Sequence, residues 1–435
     1  MRQRSLSHYI IPNILAMVGI SCYVLADTFF ISLAEGANGI TALNLVLPVY
    51  GVIYAIGAMI GVGSATRFSL KKSLGENDSE NYFTNSVVFT LIVGIIFLVL
   101  GRIFSRDFLL SMGADETILA IGLDYLNIVV YFTPFFMLNF TFTAFVRNDG
   151  APNVAMAATL ISGLFNILFD YIFMFPMKMG MNGAALATGV SPVVSMLICL
   201  FHFFGRRNSI KLKLIPPSLK LLFSSCVLGT VAFVGEISMS VSTMTFNFLL
   251  LKLGGNVAVA AYGVIINIAI VATALFNGVS QGLQPLASVM HGQSDIKGEK
   301  NIYVKSMLTA LAISFVLVAA VLVFAEFFVG IFNSKGSYEL AEYADRGIRL
   351  YFTGFPFAAA NIVTSGFYSA TGRGRDSSLI AVFRGIVAIV IFAFIMAELF
   401  GITGVWLAFP VTEAFTLLFT LIFSLLSRRR SDKIN

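Results

Sequence analysis

Asn166 and Asp170 stand four residues apart in LFNILFDYIF (164–173), a stretch otherwise made of Leu, Ile, Phe and Tyr. Residues at i and i+4 share one helical face, so an amide and a carboxylate project together from an apolar helix. Tyr23 and Asp27 repeat the spacing within NILAMVGISCYVLADTFF, Thr188 follows GMNGAALA (180–187), and Asn139 lies in FTPFFMLNF. A charge at the centre of a bilayer costs roughly 2.5–3.5 kcal/mol on insertion scales. Carboxylate, amide and hydroxyl oxygens are hard ligands that suit a small hard cation. A carboxyl withdrawn from water also favours its protonated form. Either chemistry lets a membrane acid alternate between charged and neutralised states. Interhelical hydrogen bonds, worth about 0.6–2 kcal/mol each, account for Asn139 or Tyr23 taken singly. They account poorly for Asp27 and Asp170 together, since neither has a cationic neighbour in the sequence.

Other intramembrane charges are read more openly. Glu236, in FVGEISMSV, and Glu413 fall in apolar stretches of the second half, where they attract a cation or sit at a helix end near water. Arg384 either snorkels to the interface or pairs with a Glu across the bundle. The histidines (His8, His202, His291) have no metal-ligand spacing, and Cys22, Cys199 and Cys226 read as small apolar fillers. The 43 Phe and 16 Met suit flat, varied apolar guests along a cleft, though most must face lipid or other helices.

Helices must hold these groups. The 435 residues are 58% hydrophobic and 11% charged, with a mean hydropathy of +0.89, which excludes an ordinary soluble domain. A span needs about 20 apolar residues. Breaks at Gly, Pro and charge clusters predict twelve spans, at 9–34, 40–66, 84–104, 122–146, 154–175, 181–204, 221–251, 257–290, 306–328, 347–370, 377–397 and 402–426. The first apolar run is too long for a signal segment and lacks an A-x-A site. Pro12 within it predicts a kink. With the N-terminus inside, the inner loops and termini hold 20 Lys and Arg against 7 in the opposite loops. That bias predicts a multi-pass protein of the plasma (inner) membrane with both termini cytoplasmic. The clusters RRNSIKLK (206–213) and RRR (428–430) then read as topology signals, with no nucleic-acid partner expected.

The chain is internally duplicated. GVGSA…LGEND (61–78) answers GVSQG…HGQSD (278–295) at a shift of 217. FTPFF (132–136) answers FTGFP (352–356), FVRNDGAP (145–152) answers FYSATGRG (367–374), and GMNGAALA answers GITGVWLA (401–408). The expected fold is an all-α polytopic membrane protein of two six-helix bundles, related by a pseudo-two-fold axis along the membrane normal. The expected units are a first lobe (1–204), a linker (205–220), a second lobe (221–427) and a tail (428–435). Two bundles facing across such an axis form a central cleft suited to alternating access.

The chain resembles the multidrug and toxic compound extrusion (MATE) transporters, most closely the DinF/MepA-like branch. Pro12 followed by Asp27, Pro48, the GVGSA…LGEND segment, RNDGAPN (147–153), N-x-x-x-D at 166–170, GMNGAALAT (180–188) and QGLQPLASVMHG (281–292) carry the resemblance. It implies a non-enzymatic antiporter that exports small organic cations or drugs in exchange for H⁺ or Na⁺. It implies a cation site of Asp27, Asn166, Asp170 and Thr188, which would hold Na⁺ if the exchange is sodium-coupled. Tyr23, Asn139 and Glu236 fall to the substrate cavity, and Pro12 to bending of the first helix. Another branch pairs a seventh-span Glu with a tenth-span Asp. Glu236 fits the first, but YFTGFPFAAANIVTSGFYSA has no Asp, which favours the first lobe for ion coupling. No cofactor beyond the coupling ion is expected; membrane lipid surrounds a monomer. A lipid-linked precursor flippase needs a strongly basic cleft, and a paired-Asp protease needs G-x-G-D context absent around Asp27 and Asp170. A passive channel does not call for a duplicated rocking architecture.

Overall fold

The computed structural model describes residues 6–431 apart from 77, 113, 115, 206–207, 212, 214–215 and 333–337. Residues 1–5, Arg206, Arg207 and the end of the tail (432–435) therefore lie outside the described residues. The described residues form helices α1 (Leu6–Ser73), α2 (Asn81–Ser111), α3 (Glu116–Tyr131), α4 (Thr133–Asn148), α5 (Pro152–Met174) and α6 (Gly180–Phe203). They continue with α7 (Leu219–Gly292), α8 (Ile296–Val323), α9 (Ala325–Phe332), α10 (Tyr338–Tyr351), α11 (Phe355–Ala370), α12 (Gly374–Val382) and α13 (Ile389–Ser431). A 3₁₀ turn (Phe352–Gly354) joins α10 to α11, and a π-helical segment (Phe383–Ala388) joins α12 to α13.

Among the described residues nine helical stretches are individually long and apolar enough to span a membrane, and the α3–α4 pair, bent by 49°, makes a tenth. The stretch Gly374–Ile422 runs 49 residues, about 74 Å at 1.5 Å per residue, far beyond one hydrocarbon thickness. Gly401 divides it, with φ at 58°, a value only glycine adopts without strain. Gly255 (φ 63°) divides α7 in the same way. The α10–α11 segment completes twelve crossings, in two lobes.

Helix α1 has helical backbone from Leu6 to Ser73, with Pro12 and Pro48 inside it, and carries the first two spans as Leu6–Glu35 and Leu45–Ser73. The kink predicted at Pro12 does not break the helix. The chain nonetheless folds back, because Ile10 packs on Gly282 while Ser73 packs on Gly292. The fourth and tenth spans, predicted as single helices, are broken at equivalent places. Pro134 opens α4 and Pro356 opens α11, each in the first turn, where a proline lacks no bond the helix needs.

The lobes meet closely at the face that carries the linker. A methyl group on Gly278 would sit 2.7 Å from Ile14 Cα, one on Gly282 2.7 Å from Ile10 Cα, and one on Gly63 2.8 Å from the Gly229 nitrogen. A side chain at Gly229 would collide with the Met59 carbonyl. Hydrogen bonds cross the same seam, from Arg67 Nη2 to the Ser224 carbonyl (2.8 Å) and from Ser73 Oγ to the Ser288 carbonyl (3.2 Å). The seal depends on backbone proximity, so bulk at its centre must open it. We expect Gly229→Leu, in a background without Cys22, Cys199 and Cys226, to raise the reactivity of a thiol introduced at Val62 toward an impermeant reagent on the linker face. The expected rise is about tenfold, one 1.4 kcal/mol step in the closing equilibrium.

Candidate functional site

A cavity of about 400 Å³ lies between the lobes above this seal. Helices α1, α4, α5 and α6 line it from one side with Tyr23, Asn139, Asn166 and Thr188, while Glu236 of α7 and Arg384 of the π segment line it from the other. Four of the predicted residues are thus brought to one wall, and Glu236 faces them with an exposed side chain. Pro12 is buried in α1; its neighbour Asn13 reaches the cavity floor.

The two acids sit behind that wall. Asp170 is wholly buried, and neither of its oxygens has a hydrogen-bond partner. One turn earlier Asn166 donates through Nδ2 to Thr188 Oγ1 at 3.2 Å, which turns its own Oδ1 free into the interior. Asp27 is half-buried, with Oδ1 enclosed and unpartnered. Asn139 Oδ1 is likewise enclosed without a partner. Among the described residues no ion pair involves Asp27 or Asp170. Buried oxygens are ordinarily satisfied. Here the oxygens of Asp170, Asn166 Oδ1, Asp27 Oδ1 and Asn139 Oδ1 are not, and Asp27, Asn166, Asp170 and Thr188 are the oxygen-bearing residues that could hold a small hard cation such as Na⁺.

Sequence reasoning missed three tyrosines that close the site. Tyr50 donates to the buried Tyr125 hydroxyl at 3.2 Å, and Tyr54 lines the cavity beside Tyr23. The Tyr50 and Tyr54 rings pack edge-on at 5.6 Å. The only available signal was the i, i+4 spacing of Tyr50 and Tyr54, which a core helix shares.

The second lobe has a different solution. Arg384 engages Glu413 through Nε (2.7 and 2.8 Å) and Nη2 (2.7 Å), and Asn361 Nδ2 adds a bond to Glu413 Oε2 at 2.8 Å. Of the two readings of Arg384, pairing with a Glu is the observed one. At the cavity floor Arg147 is buried, donating to Asn13 Oδ1 (3.1 Å) and to Gln281 Oε1 of the other lobe (2.6 Å).

The remainder of RNDGAPN makes a clasp at the linker face. Gly150 (φ 88°) turns the chain from α4 into α5, which begins at Pro152. The turn buries Asp149 against three partners. It accepts from Lys72 Nζ (2.8 Å), His202 Nε2 (2.9 Å), the Ser209 backbone N–H (3.0 Å) and the Ser209 hydroxyl.

The family model described as MatE matches residues 12–172 and again 232–395. The chain belongs to the MATE family. The double match restates the internal duplication, and MATE proteins are transporters, not enzymes. The chain is 28% identical over 433 residues to the multidrug export protein MepA of Staphylococcus aureus (strain MRSA252), covering 98% of this chain and 94% of that protein. It is 26% identical over 432 residues to MepA of Staphylococcus saprophyticus, with the same coverage. Its similarity is thus to the MepA-like branch. Among solved structures, an outward-facing multidrug resistance MATE transporter superposes with a TM-score of 0.91 at 22% identity, over 98% of this chain and 96% of that one. A MATE protein in a bent conformation gives 0.89 at 22% identity, over 99% and 96%. The two-lobe, twelve-helix fold is therefore that of a MATE transporter.

Burial alone would raise the Asp149 carboxyl, but the bonds from His202, Lys72 and Ser209 outweigh it and hold the group below its ordinary value. A carboxylate depressed in the folded state contributes stability above its unfolded titration range, and that contribution is lost as pH falls through the folded value. We expect Asp149→Asn to destabilise the detergent-solubilised protein at neutral pH by about 1–3 kcal/mol, the cost of unmaking charge-assisted bonds. The gap between variant and parent should close in acid, and thermal melts across pH measure it.

Proposed function

We propose that this protein is a secondary multidrug efflux transporter that exports small organic cations in exchange for H⁺ or Na⁺ by alternating access. The observation that carries the reading is the buried, unpaired Asp170 beside Asp27 and the Asn166–Thr188 pair, directly behind the wall of a cavity large enough for a drug-sized guest. The MepA relatives are multidrug export proteins by name, which supports the same class of guest.

The acids take up the coupling ion, H⁺ or Na⁺, from the outer side, where the cavity is accessible in this conformation. Neutralised, they no longer favour a cationic guest against the Asn166–Thr188 wall, and the guest leaves outward. Charge driven inward across the membrane is worth about 2.3 kcal/mol per elementary charge per 100 mV. Residues 1–204 and 221–427 act as the two rocking units. The linker face is cytoplasmic, as the positive-inside bias requires, in the plasma (inner) membrane, with both termini on that side. The protein works as a monomer in lipid without a nucleic-acid partner. A lipid-linked precursor flippase is the weaker reading, because a phosphate calls for a strongly basic cleft, and Arg384 shares this cavity with Glu236 and a bond to Glu413.

Reconstituted vesicles given an imposed pH gradient or an imposed Na⁺ gradient separate the two coupling ions. Asp170→Asn should abolish gradient-driven dye movement under whichever gradient drives the parent, while the purified variant keeps the parent's elution profile. Undiminished coupled transport by Asp170→Asn rejects the assignment.

A further inference from the structure

The cavity does not have the polarity of a simple cation receptor. Its second-lobe wall carries Arg384 beside the exposed carboxylate of Glu236. Arg384 also opens onto a side chamber of about 100 Å³, continuous with the main cavity through Gly235, Ser238, Thr273, Asn277 and Ile362, which line both. That is room for one carboxylate-sized group, given about 30 Å³ per water in the liquid.

Local structure holds Arg384 at this junction. It lies in the π-helical segment Phe383–Ala388, where the helical register is offset. The next residue is Gly385, and a methyl group there would sit 2.9 Å from Ser238 Cβ. The segment can therefore press against α7 and bring the guanidinium to the chamber mouth. The Nε and Nη2 side of the fork is spent on Glu413. A guanidinium has five donors, so the Nη1 end has donors left for a second acceptor. The chamber offers a further donor in Thr412, which is 1% exposed and whose hydroxyl has no partner.

We infer that Arg384, with Thr412, forms a subsite for the carboxylate of amphoteric guests, which place their cationic end against the acidic side of the cavity. Glu413 is the internal competitor: it holds the guanidinium when the guest has no acid and yields part of the fork when it has one. A purely cationic guest gains nothing from Arg384, which stays paired with Glu413, whereas a zwitterion satisfies both walls. The inference rests on the multidrug reading and specifies which guests that cavity prefers.

Rhodamine B, which carries a free carboxyl, and its ethyl ester differ in that group alone. Their binding to the purified full chain can be followed by fluorescence polarisation, and their transport in vesicles. We expect Arg384→Met to weaken binding of the free acid about tenfold, as loss of a charge-assisted contact predicts, and binding of the ester less than about twofold. Glu413→Gln should act in the opposite sense, tightening the free acid about threefold or more, because the guanidinium loses its competitor. The double variant Arg384→Met/Glu413→Met leaves no buried charge unpaired, guards against misfolding of the single variants, and should show the same selective loss. Parallel shifts of both dyes in every variant, or no shift in any, overturn the subsite. Failure of the unmodified protein to bind or move either dye defeats the multidrug reading and the subsite with it, whereas an ester handled normally with no carboxyl selectivity defeats the subsite alone.

Discussion

An unpaired carboxylate in an apolar interior is the constraint around which the first lobe is arranged. The fold withdraws both oxygens of Asp170 from water and gives them no donor, a situation that costs several kcal/mol unless something neutralises the charge. Every neighbouring choice keeps it that way. Asn166 directs its amide nitrogen to Thr188 and its oxygen inward, Asn139 contributes another unmatched oxygen, and Tyr50 spends its hydroxyl on Tyr125. Such oxygens are the ones a proton or small cation would satisfy, which is the premise of the proposed exchange.

The duplication makes the second lobe a control for this argument. Asn139 and Asn361 stand six residues before the matched FVRNDGAP and FYSATGRG segments. In the first lobe the Asn oxygen joins a cluster of acceptors. In the second the Asn361 amide serves Glu413, whose charge Arg384 already cancels. Where the first lobe has Thr188, the shift of 221 places Phe409, stacked on Tyr351 with centroids 4.3 Å apart. One copy leaves its acids without a cationic partner among the described residues, while its twin carries a tethered one.

Much of this was legible in the sequence, for identifiable reasons. Spans, duplication and buried acids are properties of composition and spacing, and spacing survives translation into a helix. Asp27, Asn166, Asp170 and Thr188 could be named because polar groups are conspicuous in hydrocarbon. Tyr50, Tyr54 and Tyr125 could not, since a tyrosine is at home in any membrane core and its partner depends on helix rotation. The same limit left Arg384 undecided until its distance to Glu413 fixed it. Asp149 read as one letter of a loop, because its partners Lys72, His202 and Ser209 are 53 to 77 residues away. The breaks at Pro134 and Pro356 were hidden because each proline lies in an otherwise continuous apolar run.

The linker-face seal shows why such a machine can move at all. Its contacts are glycine against backbone, as at Gly63 with Gly229 and at Gly278 with Ile14. They are supplemented by a few bonds to carbonyls and by the Arg147–Gln281 bridge. Small-residue interfaces gain their stability from close van der Waals packing and not from buried charge. Parting them exposes little that water or lipid cannot satisfy. The linker is bonded to both lobes: Ser209, Lys213 and Ser218 engage Asp149, Thr84 and Asn85 of the first, and Ser218 also caps α7 of the second. Two packings that differ mainly in such contacts can lie close in free energy, so a modest differential interaction with a bound species is enough to shift the balance between them.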